Sequence, residues 1–350
     1  MYNCISIASS EEGAKKLFPV LKAWNHPQRT AWLLMYFDMI PVTIIDAKMA
    51  EELLHVIDSI DTDTFIWFEN FEKFETVDSQ IFEKVLLKVV DKIEKSVCQI
   101  RFSHDFFQKY AGKFSGKFDL LGKAYLQQDE MQHHGDFTRR GLKQLVSMDP
   151  KFLLAYIDKM YVQREEHRQQ THNQLKFVWD LDVPDAIIEE AINMTVSTNL
   201  YIGILEHPVG IFFLNLTDTQ EPKAKKFILQ YITKYATDSE KMNAIFDAIR
   251  HYMKSFHEEA FHHFLSLNQD VEFFKEIWWR GNGGGVHSGE VNFGELEQAD
   301  WLGVLASVEK YPNQLDVLPI KAYLKEKIAR AIRWAEVERQ RRFANPDWPF

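Results

Sequence analysis

The chain is poor in cysteine, in strand-like alternation, in glycine-rich runs and in unbroken hydrophobic stretches, and each scarcity removes a class of protein. Cys4 and Cys98 are the only cysteines among 350 residues. Two isolated thiols, neither in a CxxC pair, cannot staple a small secreted scaffold, so a reducing cytoplasmic setting is the expectation. Met1 to Ser10 lacks the basic start and long apolar run of a secretory signal. The two most apolar stretches are Ala31–Ile45, broken by Asp38 and Pro41, and Asn199–Leu216, broken by Glu206-His207-Pro208. A charge or a helix breaker is costly in lipid, so both stretches read as buried core elements and no membrane association is expected. Positive charge is in deficit as well. A net charge of −10 disfavours a general nucleic-acid binder and leaves room only for local basic patches.

Catalytic signatures are missing in the same way. The one glycine-rich run, Arg280-Gly-Asn-Gly-Gly-Gly-Val-His-Ser-Gly-Glu290, ends without the Gly-Lys-Ser/Thr of a phosphate-binding loop, and no lysine follows it before Lys310. Its glycines also miss the dinucleotide spacing in a strand-turn-helix setting. There is no Gly-x-Ser-x-Gly elbow. In His257-Glu258-Glu259-Ala260-Phe261-His262-His263 the second zinc ligand of a zincin would fall on Phe261, so the motif fails by one residue. His133-His134 with Asp136, and His167 with His172, have no better spacing. No cofactor and no metal is expected, and the chain reads as a non-enzyme. The sharpest enzymatic alternative is a helical metal-dependent phosphohydrolase of the HD type. It would use His104-Asp105, His55 upstream, and Asp129 or Asp136 downstream. Against it, Ser103 reads as an N-cap that places Asp105 in a first helical turn, where the helix dipole alone favours an acid.

What the chain does contain is aromatic mass and helical periodicity. Twenty-seven Phe, 12 Tyr and 9 Trp accompany 46% apolar and 26% charged residues, a composition that requires a packed interior. Apolar residues recur at spacings of three and four in Asp78–Lys95 (Ile81, Val85, Leu86, Val89, Ile93), in Lys223–Tyr235 and in Asp238–Met253. Short polar or proline-containing turns punctuate the chain every ~12 to 20 residues, which favours antiparallel helical neighbours. The expected fold is all-α: an irregular HEAT-like solenoid of helical hairpins with a C-terminal helical cap. Residues 1–280 form the array, 281–292 the glycine loop and 293–350 the cap. Gly281–Gly289 is expected to be an exposed, mobile joint.

The C-terminal helix, about Asp316–Phe343, has an apolar stripe at Ile320, Leu324, Ile328, Ile332 and Ala335 and a cationic end at Arg339, Arg341 and Arg342. Those cations complement the helix macrodipole, and they are also candidate contacts for nucleic acid or an acidic protein surface. Trp278 and Trp279 are the candidate aromatic anchors for a protein partner, the alternative being that both fill the core beside the loop.

Several segments then carry a resemblance. They are Asp247–Asn268 leading into Asp270–Ile277, the Ser288-Gly289 loop followed by Ala299-Asp300-Trp301-Leu302-Gly303-Val304-Leu305, and upstream Lys123–Leu126, His134–Phe137 and Asp149–Leu154. Together they resemble the C-terminal helical-repeat tails of large bacterial signal-transducing P-loop NTPases, including STAND-like antiphage sensors. The resemblance implies a bacterial defence setting in which the array senses a ligand, often a foreign protein, while another domain binds nucleotide. The chain departs from that pattern where a proline is expected after the Ser-Gly loop and Glu290-Val291-Asn292 stands instead, and it contains no Walker motif. It therefore reads as a fragment or a stand-alone relative, a protein-recognition or regulatory module. An RNA-binding helical repeat is the third reading.

Overall fold

The computed structural model describes residues 6–61, 64–68, 70–101, 103–114, 116–131, 139–162, 175–197, 208–277 and 292–344. Helix accounts for 76% of the structure and strand for 2%. The chain forms two compact units, Met1–Met160 and Tyr161–Phe350.

The first unit runs α1 (Glu11–Ala23), α2 (Arg29–Met39), α3 (Ala47–Asp58), β1 (Thr64–Trp67), α4 (Ser79–Glu94), β2 (Cys98–Arg101), α5 (Ser103–Tyr110), α6 (Phe118–Met131), α7 (Arg140–Met148) and α8 (Phe152–Ile157). Several starts are written in the sequence. Ser10 accepts from Gly13 N at 3.2 Å, Asp46 from Met49 N at 2.8 Å and Asp78 from Ile81 N at 2.9 Å. Each carboxylate or hydroxyl satisfies one of the amide groups a helix start leaves unpaired. Helix α4 buries Phe82, Val85, Leu86, Val89, Val90 and Ile93, the periodic face expected from its sequence.

One feature departs from a purely helical chain. β1 and β2 pair in parallel, Thr64 with Cys98 and Ile66 with Ile100, and α4 is the crossover between them. Ile66, Cys98 and Ile100 are fully buried while Phe65 is 54% exposed, so the pair has an inner and an outer face. Four residues per strand are too few for period-two alternation to stand out from the helical background.

Two lysines close helix ends in this unit. The last carbonyls of a helix have no intrahelical donor. Lys73 Nζ donates to the carbonyls of Asp38 at 2.6 Å and Ile40 at 2.7 Å, at the end of α2. Lys92, on α4, donates to those of Asp58 at 2.7 Å and Ile60 at 2.6 Å, at the end of α3. Burial pulls the Lys73 ammonium down to about 8, against the charge of Asp38, which acts to raise it. Burial likewise holds Asp38 above the usual carboxylate range, outweighing the hydrogen bonds from Asn70 and the charge of Lys73.

The depressed Lys73 value fixes the sign of a pH effect. Between about 8 and the ordinary lysine value of 10.5, the unfolded chain holds a proton that the folded chain releases, so Lys73 adds stability as pH rises through that window. Neutral amine still has two hydrogens for the two carbonyls. Urea unfolding from pH 7.5 to 10 is expected to show a more positive slope of stability against pH in the wild type than in Lys73→Met. Equal slopes would remove the assignment.

The second unit contains α9 (Asp185–Val196), α10 (Glu221–Tyr235), α11 (Ser239–Tyr252), α12 (His257–Leu267), α13 (Val271–Glu276), α14 (Phe293–Glu309) and α15 (Leu318–Ala344). α10 packs on α11 and α12, and α14 and α15 form a tight hairpin. The hairpin joins α12 and α13 through His262 Nε2, which donates to Ser307 O at 2.8 Å, and through the Phe274–Tyr323 ring pair. Along α15 the fully buried residues are Ile320, Leu324, Ala331 and Ala335, whereas Ile332 is 42% exposed. The expected stripe thus departs at two positions: Ile328 is only half-buried, and small Ala331 takes the buried place of Ile332. At 3.6 residues per turn the face drifts from a strict four-residue step, and the close hairpin selects alanine.

The two helices approach closely at Gly294, where an added Cβ would lie 2.3 Å from Ala335 N and 2.5 Å from its Cα. Asn292 Nδ2 donates to Ala335 O at 3.0 Å beside it. Backbone cannot yield as a side chain can. Gly294→Ala is expected to destabilise the second unit by about 3 kcal/mol, the upper end of ordinary overpacking penalties, measured by thermal or denaturant unfolding. A neutral result would mean that the helices separate easily at this point.

Candidate functional site

A cleft of 530 Å³ lies in the first unit where α4 passes between α3 and the start of α6. Its geometry follows from the second face of α4. Lys84, Leu87, Lys88, Asp91 and Lys95 fall at i, i+3, i+4, i+7 and i+11, one stripe of a helix whose other stripe is in the core. Leu54, His55 and Asp58 of α3 form one wall, and Lys117 and Leu120, at the start of α6, form the other. Leu54, Leu87 and Leu120 are half-buried, so they give the cleft an apolar floor without belonging to the sealed core. Four lysines and two aspartates rim it.

The aspartates are already matched. Lys88 Nζ lies 2.7 Å from Asp58 Oδ1, and Lys95 Nζ lies 2.9 Å from Asp91 Oδ2. The Lys88 hydrogen bond holds the Asp58 carboxyl below the usual range, and Asp58 in turn raises Lys88. These pairs are solvated and contribute little to stability. Among the described residues Lys84 and Lys117 have no carboxylate within ion-pair distance. The cleft therefore presents two uncommitted cations over an aliphatic floor.

The histidine-rich helix α12 distributes its rings among its neighbours. His263 Nε2 lies 2.7 Å from Thr233 Oγ1 and 3.1 Å from Leu229 O on α10, while His262 reaches α14. His257 stacks on Phe261 at 6.1 Å; burial and the charge of Arg250 hold it below the ordinary histidine range. His257 also meets Phe246 of α11 edge-on, with ring centroids 6.1 Å apart, so all three rings that looked like a broken metal motif touch neighbouring helices. A further polar network ties α9 to α10. Tyr231 donates to Asn193 Oδ1 at 2.8 Å, and Tyr235 and Lys234 both donate to Glu189 Oε1 at 2.5 Å. Burial pushes Glu189 up, but these donors and the Lys234 charge outweigh it and hold it below the usual range. Burial also raises the Tyr231 hydroxyl far above its ordinary value. The members bond one another between packed helices, which is a structural arrangement.

The residues singled out from the sequence fall as follows. Trp278, Trp279 and the glycine run lie outside the described residues, as do Asp136, His133 and His134. Arg339 sits half-exposed on α15 with its Nε 3.2 Å from Glu295 Oε1 of α14, so it bridges the hairpin. Arg341 and Arg342 belong to the last turns of α15, their side chains outside the description, as are those of His104 and Asp129. Asp105 lies in the first turn of α5, 4.0 Å from Arg140. His55 faces the cleft and is not brought together with Asp105 by any described contact. Among the described residues no group of three or more His, Cys, Asp or Glu could hold a metal ion, and no helix is long and apolar enough to cross a membrane. The cleft itself was not anticipated, although the second stripe of α4 was available as a signal. Comparison with family models, with curated proteins and with solved structures found no match for the chain.

The two faces of α4 make different demands. Leu87→Glu is expected to leave the helical circular dichroism and the unfolding midpoint nearly unchanged, because the side chain borders solvent. Val90→Glu, at a fully buried position, is expected to unfold the first unit, since an unpaired carboxylate in a core costs several kcal/mol. Equal losses from both would show that Leu87 is core.

Proposed function

We propose that the chain is a non-catalytic helical recognition module, a regulatory or sensing scaffold, whose first unit holds a segment of a protein partner in the α3–α4–α6 cleft. The observation that supports this reading is the pair of uncommitted lysines over a leucine floor, an arrangement suited to binding. The helical neighbours of the second unit, α10 against α12 and α14 against α15, support an array of hairpins as the scaffold. The sequence resemblance to sensor tails of bacterial defence NTPases points the same way: in that setting the array recognises and another domain responds.

A photo-crosslinking amino acid at Leu87 or at Leu120, in the full chain expressed in cells, tests the proposal. Positions Lys16 and Val20 on exposed α1 serve as controls. A discrete partner crosslinked from the cleft and not from α1 is the expected result. Indiscriminate labelling from all four positions, or none from the cleft, would sink it.

A further inference from the structure

We infer that the occupant of the α3–α4–α6 cleft is an amphipathic, helical segment of another protein that carries aliphatic side chains on one face and carboxylates beside them. The inference rests on the recognition reading above and adds the chemistry of the partner.

Three observations select this occupant. First, charge is complementary at short range. The chain carries −10 overall, yet the rim sets four lysines against two aspartates, and the two aspartates are taken by Lys88 and Lys95. Lys84, on α4, and Lys117, at the start of α6, remain to meet incoming carboxylates. Second, the floor is aliphatic. Leu54, Leu87 and Leu120 come from three different helices, and a row of leucines between helices accepts apolar side chains spaced at i, i+3, i+4 and i+7. Third, among the described residues the lining contains no arginine and no aromatic side chain except His55. Single-stranded nucleic acid is held by stacking on rings and by guanidinium groups as well as by charge. A leucine floor offers a base little to stack on. A polyphosphate would leave the apolar floor unfilled. The favoured partner is therefore acidic and amphipathic, not a polyanion.

The test uses the whole chain and a fluorescein-labelled helical peptide of about sixteen residues, with leucines at the spacing above and glutamates flanking them. Anisotropy is expected to show saturable binding that weakens as NaCl is raised above physiological strength. Lys84→Glu/Lys117→Glu is expected to weaken it at least about tenfold, a difference of roughly 1.4 kcal/mol. Leu87→Glu is expected to weaken it comparably, and a peptide with lysine in place of every glutamate is expected not to bind. Circular dichroism establishes that each variant is folded, and Lys84→Ala/Lys117→Ala replaces the charge reversal if that fails to fold. Equal affinity for wild type and lysine variants would overturn the inference. So would binding of the lysine peptide, or a uridine oligonucleotide that displaces the acidic peptide and binds more tightly. If the peptide does not bind while the Leu87 crosslinker still captures one discrete partner, the acidic chemistry falls and the recognition reading stands. If both fail, both fall.

Discussion

The carbonyl ends of α2 and α3 have no intrahelical donors, and two lysine side chains supply them. This requirement fixes much of what surrounds the cleft. Lys92 reaches the carbonyls of Asp58 and Ile60, so the last turns of α4 are tethered to the last turn of α3. Lys88, one turn earlier on the same helix, then meets the Asp58 side chain. With those two contacts set, the stripe that contains Leu87 and Lys84 has to face the gap beside α3, and α6 completes the other wall. A helix end that water would otherwise solvate thus determines where an apolar floor is left open. The clamp at Lys73 does the same work for α2 with a more deeply buried ammonium. Burial draws the Lys73 proton affinity down to about 8.

The second unit meets similar constraints with other groups. Its close contacts rely on small residues, Gly294 against Ala335, and on histidines whose ring nitrogens reach backbone or hydroxyl oxygens of adjacent helices. Imidazole suits such a joint because a neutral ring has one donor and a flat apolar body. The same qualities make histidine a metal ligand, so clusters of histidine on a helix are ambiguous in sequence. Geometry separates the cases. Rings at successive positions of α12 point to α14 and to α10, and divergent rings cannot converge on one ion.

The helices were legible where periodicity and caps agreed. Asp78 and Asp238 stand at the caps of α4 and α11, and the apolar residues expected in both helices are buried except Ile81, which is half-buried. Two things were not legible. The parallel strand pair consists of Thr64-Phe-Ile-Trp67 and Cys98-Gln-Ile-Arg101, each shorter than the window in which alternation becomes distinct, and their pairing depends on α4 folding between them. The cleft depends on three helices separated by many residues, none of which is unusual alone. Lysines at one helical spacing look like an ordinary solvated face until the neighbouring walls show which cations have partners. Ile332 illustrates a narrower failure: its spacing matched the buried stripe, but the close packing that favours Ala331 is a property of two helices together.

A lysine-rimmed cleft on an acidic chain also bears on how selective recognition could arise. At physiological ionic strength charges are screened over about 8 Å, so the remote acids that make up the net charge are largely silent at the cleft. The rim lysines act only on groups that have already come close. An acidic segment without aliphatic side chains gains the Coulomb attraction but leaves the leucines wet, and an apolar segment without acids leaves Lys84 and Lys117 to water. Only a segment with both satisfies the floor and the rim at once. Neither term is strong alone, because the lysines are solvated and the leucines only half-buried. Discrimination in such a cleft comes from requiring the two together, and the net negative charge adds to it by repelling acidic segments that approach any other face at low salt.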